Sequence, residues 1–325
     1  MFFKALTVAA VVSTAVAQRP TNTSICDYYT TALLMNNTAA NQKTLLTLVV
    51  NTAVIGNYTT PNVGIAVPGI LAKGTFNNVE VDLAPYFSGA LASTNTGEDT
   101  GKAVNFLDGG GAAPLMMNMP SNDTTSVQYV LLTHLYEYFG GLLGCSQQGM
   151  EGYDAYSGSN SMYEVHKFMA LSAAEVGYFI QQVALSAASF GVTQEDLAPV
   201  GEALNNLFGY KCSPETVVIP SQPADLQAIC IDDSCPTSVN ATCDAYDAVM
   251  KPVAANSTNA GSFGSDGGNA STTMTGTATG TATGTATGTA TGTGGTAATA
   301  TSNAGVQNVV GLGLAAVGGV AAFLL

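Results

Sequence analysis

The sequence predicts an all-α domain interrupted by a long irregular insertion, then a disulfide-stapled tail and a disordered stalk. Three observations carry that expectation. From residue 127 to 208 apolar residues recur at helical spacing, with capping residues before the runs and glycines after them. Residues 58–120 are rich in Gly, Pro and Asn and hold no sustained period. Four of the six cysteines follow Tyr210, and a Thr/Gly/Ala repeat follows them.

Each element can be justified in chain order. MFFKALTVAAVVSTAVA (1–17) has one lysine, an apolar run and small residues at Ala15 and Ala17, the pattern of a secretory signal peptide cut before Gln18. Residues 18–211 then form the helical domain. ANQKTLLTLVVNTAVIGN (40–57) is apolar throughout, long for a strand and ended by Gly-Asn, which predicts a buried helix. Within 58–120 only VEVDLAPYFSGAL has the character of one or two short helices. The stretch that follows opens on capping residues. It sets Val127, Val130, Leu131, Leu135, Tyr138, Phe139 and Leu142 on one broad helical face. A Gly-, Asp- and Ser-rich loop precedes the short helix SMYEVHKFMAL, and SAAEVGYFIQQVALSAASFG is a longer one stopped at Gly191. A last helix begins at Thr193, with Asp196 three residues on as a near capping box, and ends at Gly209. Connections this short favour packed neighbours.

Composition narrows the class of partner. A net charge of −14 and an isoelectric point of about 4.1 exclude nucleic acid. Six cysteines behind a signal peptide predict three disulfides among fifteen possible pairings, with 212–250 as a stapled appendix. Zinc is disfavoured there, since no histidine is near and no paired C-x2-C spacing occurs. Seven N-x-[ST] sequons, at Asn22, Asn36, Asn57, Asn122, Asn240, Asn256 and Asn269, predict glycosylation. Residues 251–302 read as a disordered, O-glycosylated stalk that cannot bury a core. Residues 303–325 end in an uncharged apolar run after small residues, the signal for a glycolipid anchor attached at Asn303 or Ser302 with the tail removed. The expected location is extracellular, held to the cell membrane or wall by that anchor. The pattern resembles fungal cell-surface proteins of this kind.

The chain has two histidines, His134 and His166. His166 lies among Met162, Val165, Met169 and Leu171, a setting in which a half-buried structural histidine is the ordinary outcome. Two histidines without an H-E-x-x-H spacing make no zinc shell, and no G-x-S-x-G elbow supports a hydrolase. Haem differs, because the porphyrin supplies four ligands and one histidine suffices beside an apolar slot. Val165, Met169, Phe179 and Phe139 are candidates for that lining.

At this point the sequence resembles a family. An aromatic helix ends in glycines (Tyr138, Phe139, Gly140, Gly141, Gly144), and a loop carries Tyr156 and Gly158. Met162, Val165 and His166 follow, then Phe179, then Gly191 and Val192. Together, over about residues 127–208, these resemble the second half of a truncated, two-over-two haemoglobin. The resemblance implies a two-over-two helical sandwich and haem b bound by His166 as proximal ligand. It sets Leu131 and Leu135 over the distal face, with His134 between them as a second axial ligand. The first half departs from the family: Val49 and Val50 stand where it carries a Phe-Tyr pair, and DLAPYFSG (82–89) lies some thirty residues further on than expected. Without that tyrosine, redox, nitric oxide or haem-handling roles are expected rather than oxygen storage, with O2 or NO as gaseous ligand. The alternative is a non-catalytic, glycosylated wall or adhesive protein whose core lacks haem.

Overall fold

The computed structural model describes residues 18–59 and 63–262. The expected signal peptide, the expected anchor signal and the part of the expected stalk beyond residue 262 lie outside the described residues, as does the whole of the second of the chain's two units, Ser271–Leu325.

Helix α1 (Ile25–Leu34) starts where the Ser24 hydroxyl accepts from the Asp27 amide, and α2 (Ala39–Ile55) where Thr38 does the same for Asn41. Helix α2 has almost no amphipathic bias and is buried around its circumference, Leu46, Val50 and Val54 included. Helices α5 (Val127–Leu142) and α7 (Ala173–Ser189) pack on it together with α1, and α8 (Gln194–Phe208) packs on α7. Ser126 caps α5, and Ser172 with Glu175 forms a full capping box on α7. Thr193 does not cap α8 as the sequence suggests. Its hydroxyl and amide are taken by the Tyr29 phenol, and Asp196 is engaged by Arg19 at 2.8 Å and Tyr29 at 2.9 Å.

The fold is nevertheless not all-α, and the expected globin-like class is overturned by two small antiparallel sheets among the described residues. Strands β1 (Gly74–Phe76) and β2 (Val79–Val81) form a hairpin across Asn77 and Asn78, both at positive φ, the requirement of a two-residue turn. Strand β3 (Leu91–Thr94) lies between β4 (Lys102–Ala103) and β5 (Val253–Ala254). VEVDLAPYFSGAL, expected to be helical, therefore starts in β2, turns through the short α3 (Ala84–Phe87) and ends at β3. Residues 253–261, read as the start of the stalk, run along this second sheet, with the Gly261 amide donating to the Ala103 carbonyl.

The hairpin reaches the helices through two glycines. Phe76 packs where Gly177 of α7 has no side chain, and Tyr178 packs where Gly74 of β1 has none. A Cβ at Gly177 would stand 2.2 Å from the Phe76 ring. Two further short helices, α4 (Ala112–Leu115) and α6 (Met162–His166), complete the eight among the described residues. None of the helices is long and apolar enough to cross a membrane.

Three disulfides form: Cys26–Cys145 ties α1 to the end of α5, while Cys212–Cys243 and Cys230–Cys235 lie within the appendix. They are compatible with an extracellular protein. Two buried polar side chains of α2, Gln42 and Asn51, find partners outside the helix. Gln42 donates to Asp27 and Asn37, and Asn51 joins the Leu115 carbonyl to the Tyr136 phenol.

Candidate functional site

His166 ends α6, whose first turn is held by the Ser161 hydroxyl accepting from the Glu164 amide. Its Nδ1 lies 2.7 Å from the Met162 carbonyl oxygen, one turn back. A carbonyl only accepts, so Nδ1 carries the hydrogen and Nε2 keeps a lone pair. Nε2 has no hydrogen-bond partner among the described residues. Burial pushes the imidazole below its usual range and outweighs the opposing carbonyl bond, which leaves the ring neutral at pH 7. This is the form of histidine that ligates a metal, with its second nitrogen fixed by a backbone acceptor.

His134 lies on α5 and is half-buried, and burial lowers its pKa as well. Neither of its nitrogens finds a hydrogen-bond partner among the described residues. Its ring meets the Tyr156 ring edge-on at 5.9 Å, and Tyr156 meets Tyr138 at 5.4 Å. The Tyr156 hydroxyl donates to the Ser159 carbonyl, whereas the buried Tyr138 hydroxyl has no partner among the described residues. The glycine-marked loop thus lays an aromatic cover over this face of α5.

An apolar cavity of about 70 Å3 opens inside the helical core between α1, α2, α5, α7 and α8. Leu135, Phe139 and Phe179 line it, with Val49, Val50 and Leu204. His166, His134, Leu131, Val165 and Met169 do not. Val165 is 38% exposed, while Leu131 and Met169 pack at the margin of the core. The eight residues expected around one haem therefore divide, and three of them share a cavity.

The fit to haem is accordingly incomplete. The His166 Nε2 keeps its lone pair, but the cavity lining offers hydrocarbon and no imidazole, and the His134 face is covered by Tyr156. Among the described residues no group of three or more His, Cys, Asp or Glu side chains could hold a metal ion.

Two further features were not legible as a site in the sequence. Beside α6 lies a second cavity of about 320 Å3, lined by Tyr163, Lys167, Phe168, Glu98, Asp99 and Asp247 among others. Lys167 bridges Glu164 at 2.9 Å and Asp247 at 3.2 Å, its ammonium 5.5 Å from the Phe168 ring centre. The cavity's lining comes from residues 98–99, 163, 167–168, 231 and 247–250, stretches that no local pattern joins. The other feature is Glu137 on α5, whose carboxyl is pushed up to about 7 by burial, then by repulsion from Asp154, with Lys43 pulling the other way.

No protein-family model, curated protein or solved structure matches the chain.

Proposed function

We propose that the chain is a secreted protein displayed at the cell surface, acting through its glycosylated exterior as a wall or adhesive component, with a helical core that holds no haem. The cavity carries this reading: the space enclosed by the core helices is lined by hydrocarbon, and both histidines lie off it. Three disulfides, a dense set of sequons and the Thr/Gly repeat support a rigid domain held out from a surface by a glycolipid anchor. Haemin added to the disulfide-intact secreted protein should give no histidine-dependent Soret band. On intact cells, a phosphatidylinositol-specific phospholipase should release the protein into the medium, and retention after digestion would sink the anchor.

A haem-binding function is the second reading, and one observation favours it. The His166 ring donates from Nδ1 to the Met162 carbonyl and keeps Nε2 uncommitted. If haemin binds at one equivalent and the band disappears in His166→Ala, that reading replaces the first. Loss of a low-spin six-coordinate spectrum in His134→Ala would then bring in the second histidine.

A further inference from the structure

We propose that Met116, Met117 and Met119 form a surface site for a soft monovalent cation, Cu(I), bound through their thioether sulfurs. The three side chains are exposed by 55%, 58% and 38%, in the stretch LMMNMP. Apolar side chains of this size are normally withdrawn from water, so three together on one exposed turn call for a reason.

The turn that carries them is held in place. The Pro114 carbonyl oxygen accepts from the Met117 amide at 2.9 Å and from the Met119 amide at 3.0 Å, so both residues close on one atom. The Met116 amide donates to the Ala112 carbonyl at 3.1 Å. Between Met117 and Met119 the chain reverses at Asn118, whose φ is +58°. Three outside contacts pin the same turn: Asn51 Nδ2 donates to the Leu115 carbonyl, the Tyr58 hydroxyl to Asn118 Oδ1, and Gln128 Nε2 to the Pro120 carbonyl. The backbone is thus fixed while the three side chains project into solvent.

Neighbouring Cα atoms are about 3.8 Å apart, and methionine is unbranched with three rotatable bonds, so three sulfurs from this turn can converge on one ion. A thioether is neutral and polarizable. It selects Cu(I) over harder ions such as Cu(II) oxygen complexes, Mg2+ or Ca2+. The chain's net charge of −14 draws any cation toward its surface. A docking patch for an apolar partner would use the same exposure, but it would need hydrophobic area and not sulfur. Leucine replaces that area and removes the ligand atom.

The experiment is an anaerobic competition between the full secreted protein and the chromophoric chelator bicinchoninate for Cu(I), repeated with Ag(I) as a redox-inert stand-in. The wild type should retain one equivalent, and the triple variant Met116→Leu/Met117→Leu/Met119→Leu should lose it. Met35→Leu, which removes another exposed methionine, should bind as the wild type does. The methyl resonances of the three named methionines should shift on Ag(I) addition, a readout that needs no variant to fold. The proposal is overturned by a triple variant that competes as well as the wild type. It is equally overturned by a wild type that cedes all metal to the chelator, or by methyl shifts at other methionines only.

Discussion

Tyr136 and Tyr138, two residues apart on α5, are both buried, yet their hydroxyls have opposite fates. The Tyr136 phenol donates to Asn51 Oδ1 at 2.6 Å, while the Tyr138 phenol finds no partner among the described residues. A buried polar group without a partner keeps its desolvation cost, and a satisfied one offsets it. Tyr138→Phe should therefore raise stability by about 1 kcal/mol. The same change at Tyr136 strands the Asn51 oxygen and should cost about 1–3 kcal/mol. Urea unfolding of the two variants checks both signs. Glu137 makes a pH prediction at the same scale. Its folded pKa, about 7, lies above the ordinary glutamate value, so between the two the folded state holds a proton that the unfolded chain has released. Stability from this group is complete below the unfolded pKa and is lost as pH rises through the folded one. The lowered pKa values of His134 and His166 act oppositely, adding stability as pH rises toward the free imidazole value. Glu137→Gln should remove the falling component and leave the rise due to the histidines. A variant whose stability changes from pH 5 to 7 just as the wild type's does would refute the assignment.

At the scale of elements, the contact between the β1–β2 hairpin and α7 depends on what two positions lack. Gly74 admits the Tyr178 ring and Gly177 admits the Phe76 ring, each Cβ-free position receiving an aromatic from the other element. Alanine at 177 improves helix propensity by under about 1 kcal/mol. It also overpacks the contact, which typically costs about 1–3 kcal/mol. Gly177→Ala should therefore destabilise the protein in spite of propensity, with faster hydrogen exchange in the hairpin amides, and an unchanged or raised midpoint would show that the hairpin yields freely. This contact also explains the error over the fold class. GTFNNVEV is too short for a period to assert itself, and its one clear signal is Asn77-Asn78, a pair suited to positive φ. Beyond the hairpin, β3 pairs with β5 about 160 residues away in sequence, a partnership that no local pattern encodes.

For the whole molecule, Cys26–Cys145 is the long-range staple, its ends 119 positions apart in sequence, whereas those of Cys230–Cys235 are five apart. Closing a long loop restricts the unfolded chain more than closing a short one. Replacing both Cys26 and Cys145 with alanine should cost about 2–4 kcal/mol, measured by urea unfolding with the other bridges intact. A loss no larger than that of a Cys230→Ala/Cys235→Ala variant would contradict the loop-length argument. The core cavity belongs to this scale too, since five helices must meet to enclose it.

What the sequence determined by itself is what local chemistry can write. The helices at 127–142, 173–189 and 194–208 follow from apolar spacing, and the caps at Ser126 and Ser172 from side-chain oxygens placed at the run ends. Six cysteines in a chain with a secretory leader pattern announced three bridges. The Nδ1 contact of His166 lies within local reach, because its partner carbonyl is four residues back on the same helix. Only the tertiary structure decided which apolar residues share a cavity, why the Thr193 hydroxyl accepts from a tyrosine 164 residues away and does not cap α8, and that short segments within 74–103, together with 253–254, pair as strands. The physical reason is range. Helix periodicity and capping are settled within one turn, whereas strand pairing, ring-into-glycine packing and cavity enclosure depend on which distant surfaces meet when the chain closes.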